Sequence, residues 1–445
     1  MSWSRFGYSA WARLQLRVER LTAGGSWTSQ LSQGIQRNLR YFFFDGVLSA
    51  ASDAVNVTYL TLFVLALGAS PSQIGLMSAL ASLSAMLVLI PGAMLADRSK
   101  QRKPIVVISG GMVSRLNLLL LALLPLVVKG PAMVAIAIII KVVMDGASNL
   151  GLPAWVSMTA DIVPLNWRGR YFGTRNLVMG IASMASTLLV GQIITGIGSV
   201  QGYQIAYGLA FMIGMMSTYS YAHLKESPPE VQPQTLASYS IASLVSTLRT
   251  DPIFLSFCLY NMLWNFSINV AGPFFNVYLV QNLHSTAVMV GILSIVSSLA
   301  GLPAQRIFGQ LSDRWGPRKV ILLTGWLIPI VPFMWYFVRA DWNVIPINIL
   351  SGILWAGYGL ASFNFALTLY PQEQRPRYSA LLQVSIAVSS ALGAMAGGVV
   401  VSYFGIPIVF VLSAAGRLLA AGLFARFIVR PQPARVEAVA PVSEK

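Results

Sequence analysis

The chain has 445 residues, 56% of them hydrophobic and only 10% charged. A soluble domain carries about 25% charged residues, so this composition excludes an ordinary soluble protein. The formal net charge of +16 would suit a nucleic-acid partner, but the placement of the basic residues argues against one. Cys258 is the only cysteine and His223 and His284 are the only histidines, which leaves no disulfide framework and no metal-ligand cluster. No cofactor or metal is expected.

Residues 1–40 hold no long apolar run with a small-residue cleavage site behind it, so this basic segment does not read as a signal peptide. Arg5, Arg13, Arg17 and Arg20 interleave with Trp3, Phe6, Trp11, Leu14 and Leu16. An interfacial helix on the inner leaflet and a disordered basic tail both fit that pattern. Twelve apolar stretches follow, at 41–68, 73–96, 104–128, 132–159, 170–196, 202–223, 252–282, 286–312, 319–338, 343–370, 377–402 and 406–428. Each reaches the ~20 residues that a membrane-spanning helix needs. Six precede a polar interruption at 224–251, where Ser227-Pro-Pro-Glu-Val-Gln-Pro233 cannot be regular helix. Leu236, Ile241, Leu244, Val245 and Leu248 then fall near one helical face, as a short surface helix would place them. The tail at 429–445 is polar, with Pro431, Pro433 and Pro441, and is expected to be disordered.

With the N-terminus inside, the inner segments hold 24 of the 30 Lys/Arg and the outer loops hold two, Lys129 and Arg339. This is the positive-inside pattern, repeated at successive turns. It places both termini in the cytoplasm of a cell-membrane protein and accounts for the charge without a nucleic acid. The expected domains are a cytoplasmic segment 1–40, a six-helix bundle 41–223, a cytoplasmic loop 224–251, a second six-helix bundle 252–428 and a tail 429–445.

The two halves are related. Residues 75–109 align onto 291–325 without a gap at an offset of 216, with ten of 35 pairs identical. Each copy ends in Asp-Arg and a basic cluster: Asp97, Arg98, Arg102 and Lys103 against Asp313, Arg314, Arg318 and Lys319. Pro164-Leu-Asn-Trp-Arg168-Gly-Arg170-Tyr171 likewise matches Pro371-Gln-Glu-Gln-Arg375-Pro-Arg377-Tyr378. Two such anchors at equivalent places indicate an internal repeat, with a solute path at the axis between the halves as the first function to consider.

Polar residues at helical spacing inside an apolar span face protein or water rather than lipid. The first span carries Asp45, Ser49, Asp53 and Asn56, and the seventh carries Asn261, Asn265 and Asn269. At the offset of 216, Asp45, Ser49 and Asp53 fall on the three asparagines. The fourth span adds Lys141, Asp145 and Asn149, at i, i+4 and i+8. Aromatic residues, Trp264 foremost, flank the second stripe and suit stacking on a ring or ordinary helix packing.

Counting 1.5 Å per residue from the span ends, Asp53 and Asp145 lie roughly 18–20 Å deep, with Arg115 and Arg417 at similar depth. Each such charge costs about 2.5–3.5 kcal/mol on insertion scales. Two readings compete. The charges neutralise one another, Lys141 with Asp145 and Arg115 with Asp53, or an Asp loads and releases a proton as its surroundings wet and dry. Asp53 is the first proton candidate, because no cation lies within a turn of it on its own span. Asp145 is the second. Arg115, Lys141 and Arg417 are also candidates for holding an anionic group of a solute.

The loop motif after the eighth span reads Gly309, Asp313, Arg314, Gly316, Arg318, Lys319. It resembles the signature of the major facilitator superfamily of secondary transporters, Gly-x-x-x-Asp-Arg-x-Gly-x-Arg/Lys-Arg/Lys. The first copy departs at Ala93 and Lys100. Asp161 and Arg168 are spaced as that family's acid-x6-Arg element, and Lys225-Glu226-Ser227-Pro228 resembles its acidic segment after the sixth span. The resemblance covers about 41–428. The fifth span lacks the Gly-Pro-x-x-Gly-Gly pattern of many drug–proton antiporters, and the tail lacks the Pro-Glu-Thr segment of sugar porters.

The resemblance implies an all-α membrane protein with twelve transmembrane helices in two pseudo-symmetric six-helix bundles around a central cavity. It also implies that the loop residues Asp97, Arg98, Arg102, Asp161, Arg168, Gly309, Asp313, Arg314, Gly316 and Arg318 gate the change between inward-open and outward-open states. The expected function is secondary active transport of a small organic solute, proton-coupled, by a monomer with no enzymatic activity. The alternatives are a non-transporting accessory protein on the same scaffold and an uncoupled facilitator or exporter.

Overall fold

The computed structural model describes residues 31–99, 101–164, 167–226, 251–369 and 375–427. The expected N-terminal interfacial helix, the surface helix around 236–248 and the tail after 429 lie outside the described residues. The same holds for the side chains of Asp97, Arg375 and Arg377.

Twelve helical spans follow in chain order: Gln33–Ala66 (α1), Pro71–Arg98 (α2), Lys103–Val127 (α3), Ala132–Ile162 (α4), Arg168–Ile197 (α5), Val200–Ala222 (α6), Pro252–Gln281 (α7), Ala287–Trp315 (α8), Pro317–Trp335 (α9), Val344–Leu369 (α10), Arg375–Phe404 (α11) and Ile406–Phe427 (α12). Among the described residues there is no strand. Eleven of the helices are long and apolar enough to cross a membrane. The twelfth, α6, has 23 residues, and Tyr203, Tyr207, Ser217, Thr218, Tyr219, Ser220 and Tyr221 lower its hydropathy. The protein is an all-α membrane protein.

The helix ends follow local chemistry. Ser70 caps α2 through a capping box with Gln73, and Pro71 occupies the first turn, where no N–H is needed. The Asp251 side chain accepts from Phe254 N at the start of α7, again with proline behind it. Gly198 closes α5 in the left-handed conformation, and Ser199 immediately caps α6. In the loop motif Gly316 has φ 82° and ψ 150°, a region essentially reserved for glycine. The motif's second glycine is thus a backbone requirement for the sharp turn between α8 and α9.

Four helices depart from the simple apolar-span picture; one is α9, broken between Leu327 and Ile330, where Pro329 stands. α1 begins at Gln33, ahead of the apolar run at 41, because Ser32 precedes a helix-compatible polar turn that continues below the apolar segment. α7 is broken between Ala271 and Phe274, where Gly272 and Pro273 stand; proline cannot donate to the Asn269 carbonyl one turn back. α3 contains a π-helical stretch, Val106–Val113, between ordinary helical segments.

The chain forms two compact units. One gathers the described residues of Met1–Thr235 with Pro273–Ile295 and Ala394–Ser402. The other gathers the described residues of Leu236–Gly272, Val296–Gly393 and Tyr403–Lys445. In the first unit α1 packs on α5 and α6, α2 on α4, and α3 on α4 and α6. Within it the Ser72 and Ser402 hydroxyls meet at 2.7 Å, and Val288 N donates to Thr195 Oγ1 at 3.2 Å. Tyr59 Oη donates to the Thr187 carbonyl at 2.6 Å. In the second unit the first part of α7 packs on α12, and α9 packs on α10 and α12.

A polar knot ties α3 to the end of α6. The Glu226 carboxylate accepts the backbone N–H of Arg102 at 2.6 Å and of Lys103 at 3.0 Å. Lys103 Nζ donates to the carbonyls of Ala222 and Leu224 at 3.1 Å each. An acid thus sits at the positive end of one helix and a cation at the negative end of another. Asn38 and Lys225 exchange two hydrogen bonds beside it. Glu226→Ala is expected to cost about 1–2 kcal/mol through two lost charge-assisted bonds. Thermal unfolding of the purified protein would register this as a lower midpoint, with Glu226→Gln falling between the two.

Candidate functional site

The first unit carries a half-open cavity of about 310 Å³ lined by Asp45, Ser49 and Asp53 of α1, by the π-helical segment and Arg115 of α3, by Ser148 and Trp155 of α4, and by Ser217 of α6. The α1 stripe is a consequence of spacing: residues four apart stack along one helix face. The facing wall comes from α3, whose π-helical stretch presents Gly110 and Gly111 to the cavity. A Cβ on Gly111 would lie 2.6 Å from Thr218 Cγ2, so glycine there lets α3 and α6 approach. π-Helical turns recur at functional sites because they redirect side chains out of the α-helical register; here the turn is followed directly by Ser114 and Arg115.

Arg115 is buried and pairs with Asp53, Nη1 contacting Oδ1. Nη2 donates to Ser49 Oγ at 2.8 Å, and Nη1 also reaches Ser52 Oγ at 3.2 Å. Ser49 Oγ donates to Asp53 Oδ2 at 2.8 Å, and Ser52 Oγ donates to the Ala210 carbonyl at 2.7 Å. The Asp53 side chain is 53% exposed and the Arg115 side chain only 9%. The acid therefore borders open space, and the cation stands behind it.

Two turns along α1, Asp45 is buried. Ser217 Oγ donates to its Oδ1 at 2.7 Å, and Arg175 Nη2 lies 3.8 Å from Oδ2. Arg175 also donates through Nε to the Phe42 carbonyl at 3.1 Å and lies over the Phe42 ring at 4.2 Å. A Cβ on Gly46 would collide with the Arg175 guanidinium, which makes room for this second pair. One helix face thus carries two carboxylate–guanidinium pairs, one buried and one at the cavity surface.

The remaining sequence candidates are placed as follows. Lys141 Nζ donates to Asp145 Oδ1 at 2.7 Å, and Asn149 Nδ2 donates back to the Asp145 carbonyl at 2.9 Å; none of the three lines the cavity around Asp53. Asn56 does not line it either, and its Oδ1 is buried without a partner. In the second unit Asn261, Asn265 and Asn269 each donate to the carbonyl four residues back, at 2.8–2.9 Å, so every side-chain NH₂ is engaged within its own helix. Trp264 and Arg417 are buried at 1% and 2% exposure.

Among the loop residues, Arg102 Nη1 pairs with Asp161 at 3.2 Å, and Arg168 Nε donates to the Val163 carbonyl at 3.0 Å. Arg318 Nη2 donates to the Ala425 carbonyl at 3.2 Å. Asp313, Arg314 and Arg98 are exposed, and Gly309 is half-buried.

Asp53 has no cation along its own helix; of the two readings open from the sequence, the pairing with Arg115 is the contact seen, reached across from α3. Arg175 is not among the sequence candidates, because by topology it falls with the inner-segment cations. The signal available was its position beyond Arg170, already inside the apolar run of α5. Ser52, Ser217 and the Gly110-Gly111 pair carried no distinguishing pattern, since small polar residues occur throughout these spans.

A family model described as Major Facilitator Superfamily matches residues 42–277 and 264–442. The chain is 26% identical over 189 residues to the multi-drug resistance efflux pump PmrA of Streptococcus pneumoniae, covering 41% of this chain and 47% of the pump; it thus spans about half the length of that relative. It is 33% identical over 106 residues to a lactose permease sequence of Klebsiella pneumoniae, covering 23% of this chain and 79% of that sequence. The fold is similar to the nucleoside transporter NupG, with TM-score 0.68 and 14% identity, covering 88% of this chain and all of that one. It is also similar to a D-xylose–proton symporter, with TM-score 0.65 and 14% identity, covering 87% and 97%. Twelve spans, two related halves, the loop signature and these matches agree: the chain belongs to the Major Facilitator Superfamily.

Proposed function

We propose that the protein is a secondary active transporter in the cell membrane, with both termini cytoplasmic, that moves a small organic solute by alternating access coupled to protons. The observation that carries this reading is the Asp53–Arg115 pair: a carboxylate bordering a cavity, backed by a buried guanidinium that serine hydroxyls also hold. When Asp53 is protonated, Arg115 loses its counter-charge and the balance of the pair changes. An element whose equilibrium depends on proton occupancy is what coupling requires. The cavity, about 310 Å³, is at the lower end of the ~300–1,000 Å³ typical of small-molecule sites. The likeness to a lactose permease sequence supports a small organic solute.

The test is purified protein in liposomes with an imposed pH gradient and a panel of labelled sugars, nucleosides, amino acids and aromatic carboxylates. The expected result is gradient-dependent accumulation of one class, collapsed by a protonophore. No solute entering faster than into empty liposomes would favour the accessory-protein reading. The likeness to PmrA supports a second reading, export; accumulation in inverted vesicles under the opposite gradient would select it.

A further inference from the structure

Among the described residues, three basic side chains within the apolar runs each pair with an acid: Arg115 with Asp53, Lys141 with Asp145 and Arg175 with Asp45. Arg417 of α12 does not. It is 2% exposed, its Nε is buried without a partner, and its Cζ lies 6.0 Å from the ring centroid of Trp355. Among the described residues of the second unit, the acids are Asp251, Asp313 and Asp341, all at helix ends or in a loop, and none of these acids lies within a membrane span beside Arg417.

A second orphan lies in the same cluster. Trp264 of α7 is 1% exposed, and its Nε1 has no acceptor. Its ring stacks on Tyr358 at 4.9 Å and meets Trp355 at 6.4 Å. Trp355 in turn stands edge-on to Tyr358 at 5.6 Å, and the Tyr260 and Tyr358 hydroxyls satisfy one another at 2.8 Å. Guanidinium and indole N–H are donors only, so two unsatisfied donors around one half-buried indole call for an acceptor-rich group. An unpaired cation in this setting destabilises the protein unless an anion neutralises it. A planar guanidinium suits a carboxylate or phosphate, and the ring faces of Trp355 and Tyr358 suit an aromatic or apolar body.

We propose that Arg417 and the indole N–H of Trp264 form the subsite for the anionic group of the transported solute, a carboxylate or phosphate next to an aromatic wall. This rests on the transport reading for its purpose, but its test reads binding alone. Full-length protein in phosphatidylcholine nanodiscs is unfolded thermally with benzoate, benzamide, inorganic phosphate or sodium chloride at equal ionic strength.

The expected result is a saturable rise in midpoint with benzoate or phosphate and none with benzamide or chloride. That rise should be lost in Arg417→Met, weakened at least fivefold in Trp264→Phe, and partly kept in Arg417→Lys. Without ligand, Arg417→Met should unfold at the same or a higher temperature than wild type, because a binding cation is held at a cost to stability. A lower midpoint or failure to fold in Arg417→Met, equal effects of benzoate and benzamide, no anion effect at all, or benzoate binding unchanged in Trp264→Phe and Arg417→Lys would each overturn the proposal. Replacing part of the lipid with phosphatidylglycerol supplies the other source of anion. Stabilisation of wild type but not Arg417→Met by that lipid alone would assign the subsite to a headgroup and also overturn it. Anion binding through Arg417 with no liposome transport would remove the transport reading and leave the subsite standing; transport indifferent to Arg417 would do the reverse.

Discussion

If accumulation is proton-coupled as proposed, Asp53→Asn is expected to lower it at least tenfold, to the level set by equilibration, while solute exchange across the liposome membrane continues. The amide keeps the size and the hydrogen bond from Ser49 but cannot carry a proton in and out as a carboxylate does. It also leaves the Arg115 guanidinium buried, held only by Ser49 and Ser52. Breaking a fully buried pair costs about 3–5 kcal/mol. Asp53 is half exposed, so solvent screening reduces that to about 1–2 kcal/mol. The same reasoning fixes a second readout that needs no solute. In a double-mutant cycle, Asp53→Asn and Arg115→Gln each lower the thermal midpoint, and the double variant falls by less than their sum. Accumulation unchanged in Asp53→Asn, or strictly additive midpoints, would count against the coupling role.

Gly352→Val and Gly92→Val should prevent most of the protein from reaching a folded, monodisperse state. A Cβ on Gly352 of α10 would collide with the Ser297 carbonyl of α8, and one on Gly92 of α2 with the Leu150 carbonyl of α4. These are backbone atoms and cannot swing aside. Overpacking of this kind costs about 1–3 kcal/mol where the structure can adjust, and a backbone contact between two long helices adjusts least. Close approach through small residues is how helices associate in lipid, where no hydrophobic force joins them. The two crossings are equivalent in the repeat, second helix on fourth in each half, although the glycine comes from α2 in one and α10 in the other. Gly180 and Gly208, which have open space where a Cβ would go, serve as controls. Alanine there should be neutral or stabilising by up to about 1 kcal/mol. Fluorescence-detected size exclusion separates the two outcomes.

The helical spans, their number and the relation of the two halves were all readable without coordinates. Lipid imposes length and apolarity on each helix, and topology imposes the distribution of Lys and Arg; both are one-dimensional constraints written residue by residue. The α1 stripe was legible for the same reason, since Asp45, Ser49 and Asp53 share a face by spacing alone. So was the Lys141–Asp145 pair, which lies within one helix. What only the tertiary structure decided is which groups meet across helices. Arg115 joins Asp53, Arg175 joins Asp45, and Arg417 has no acid paired with it among the described residues of its unit. The π-helical stretch of α3 and the break in α7 belong to the same class. Composition permits them, through Gly110-Gly111 and Gly272-Pro273, but only the packing of neighbouring helices selects the register. Pairing between distant segments depends on helix rotation and depth, to which an apolar pattern is indifferent once a span is long enough.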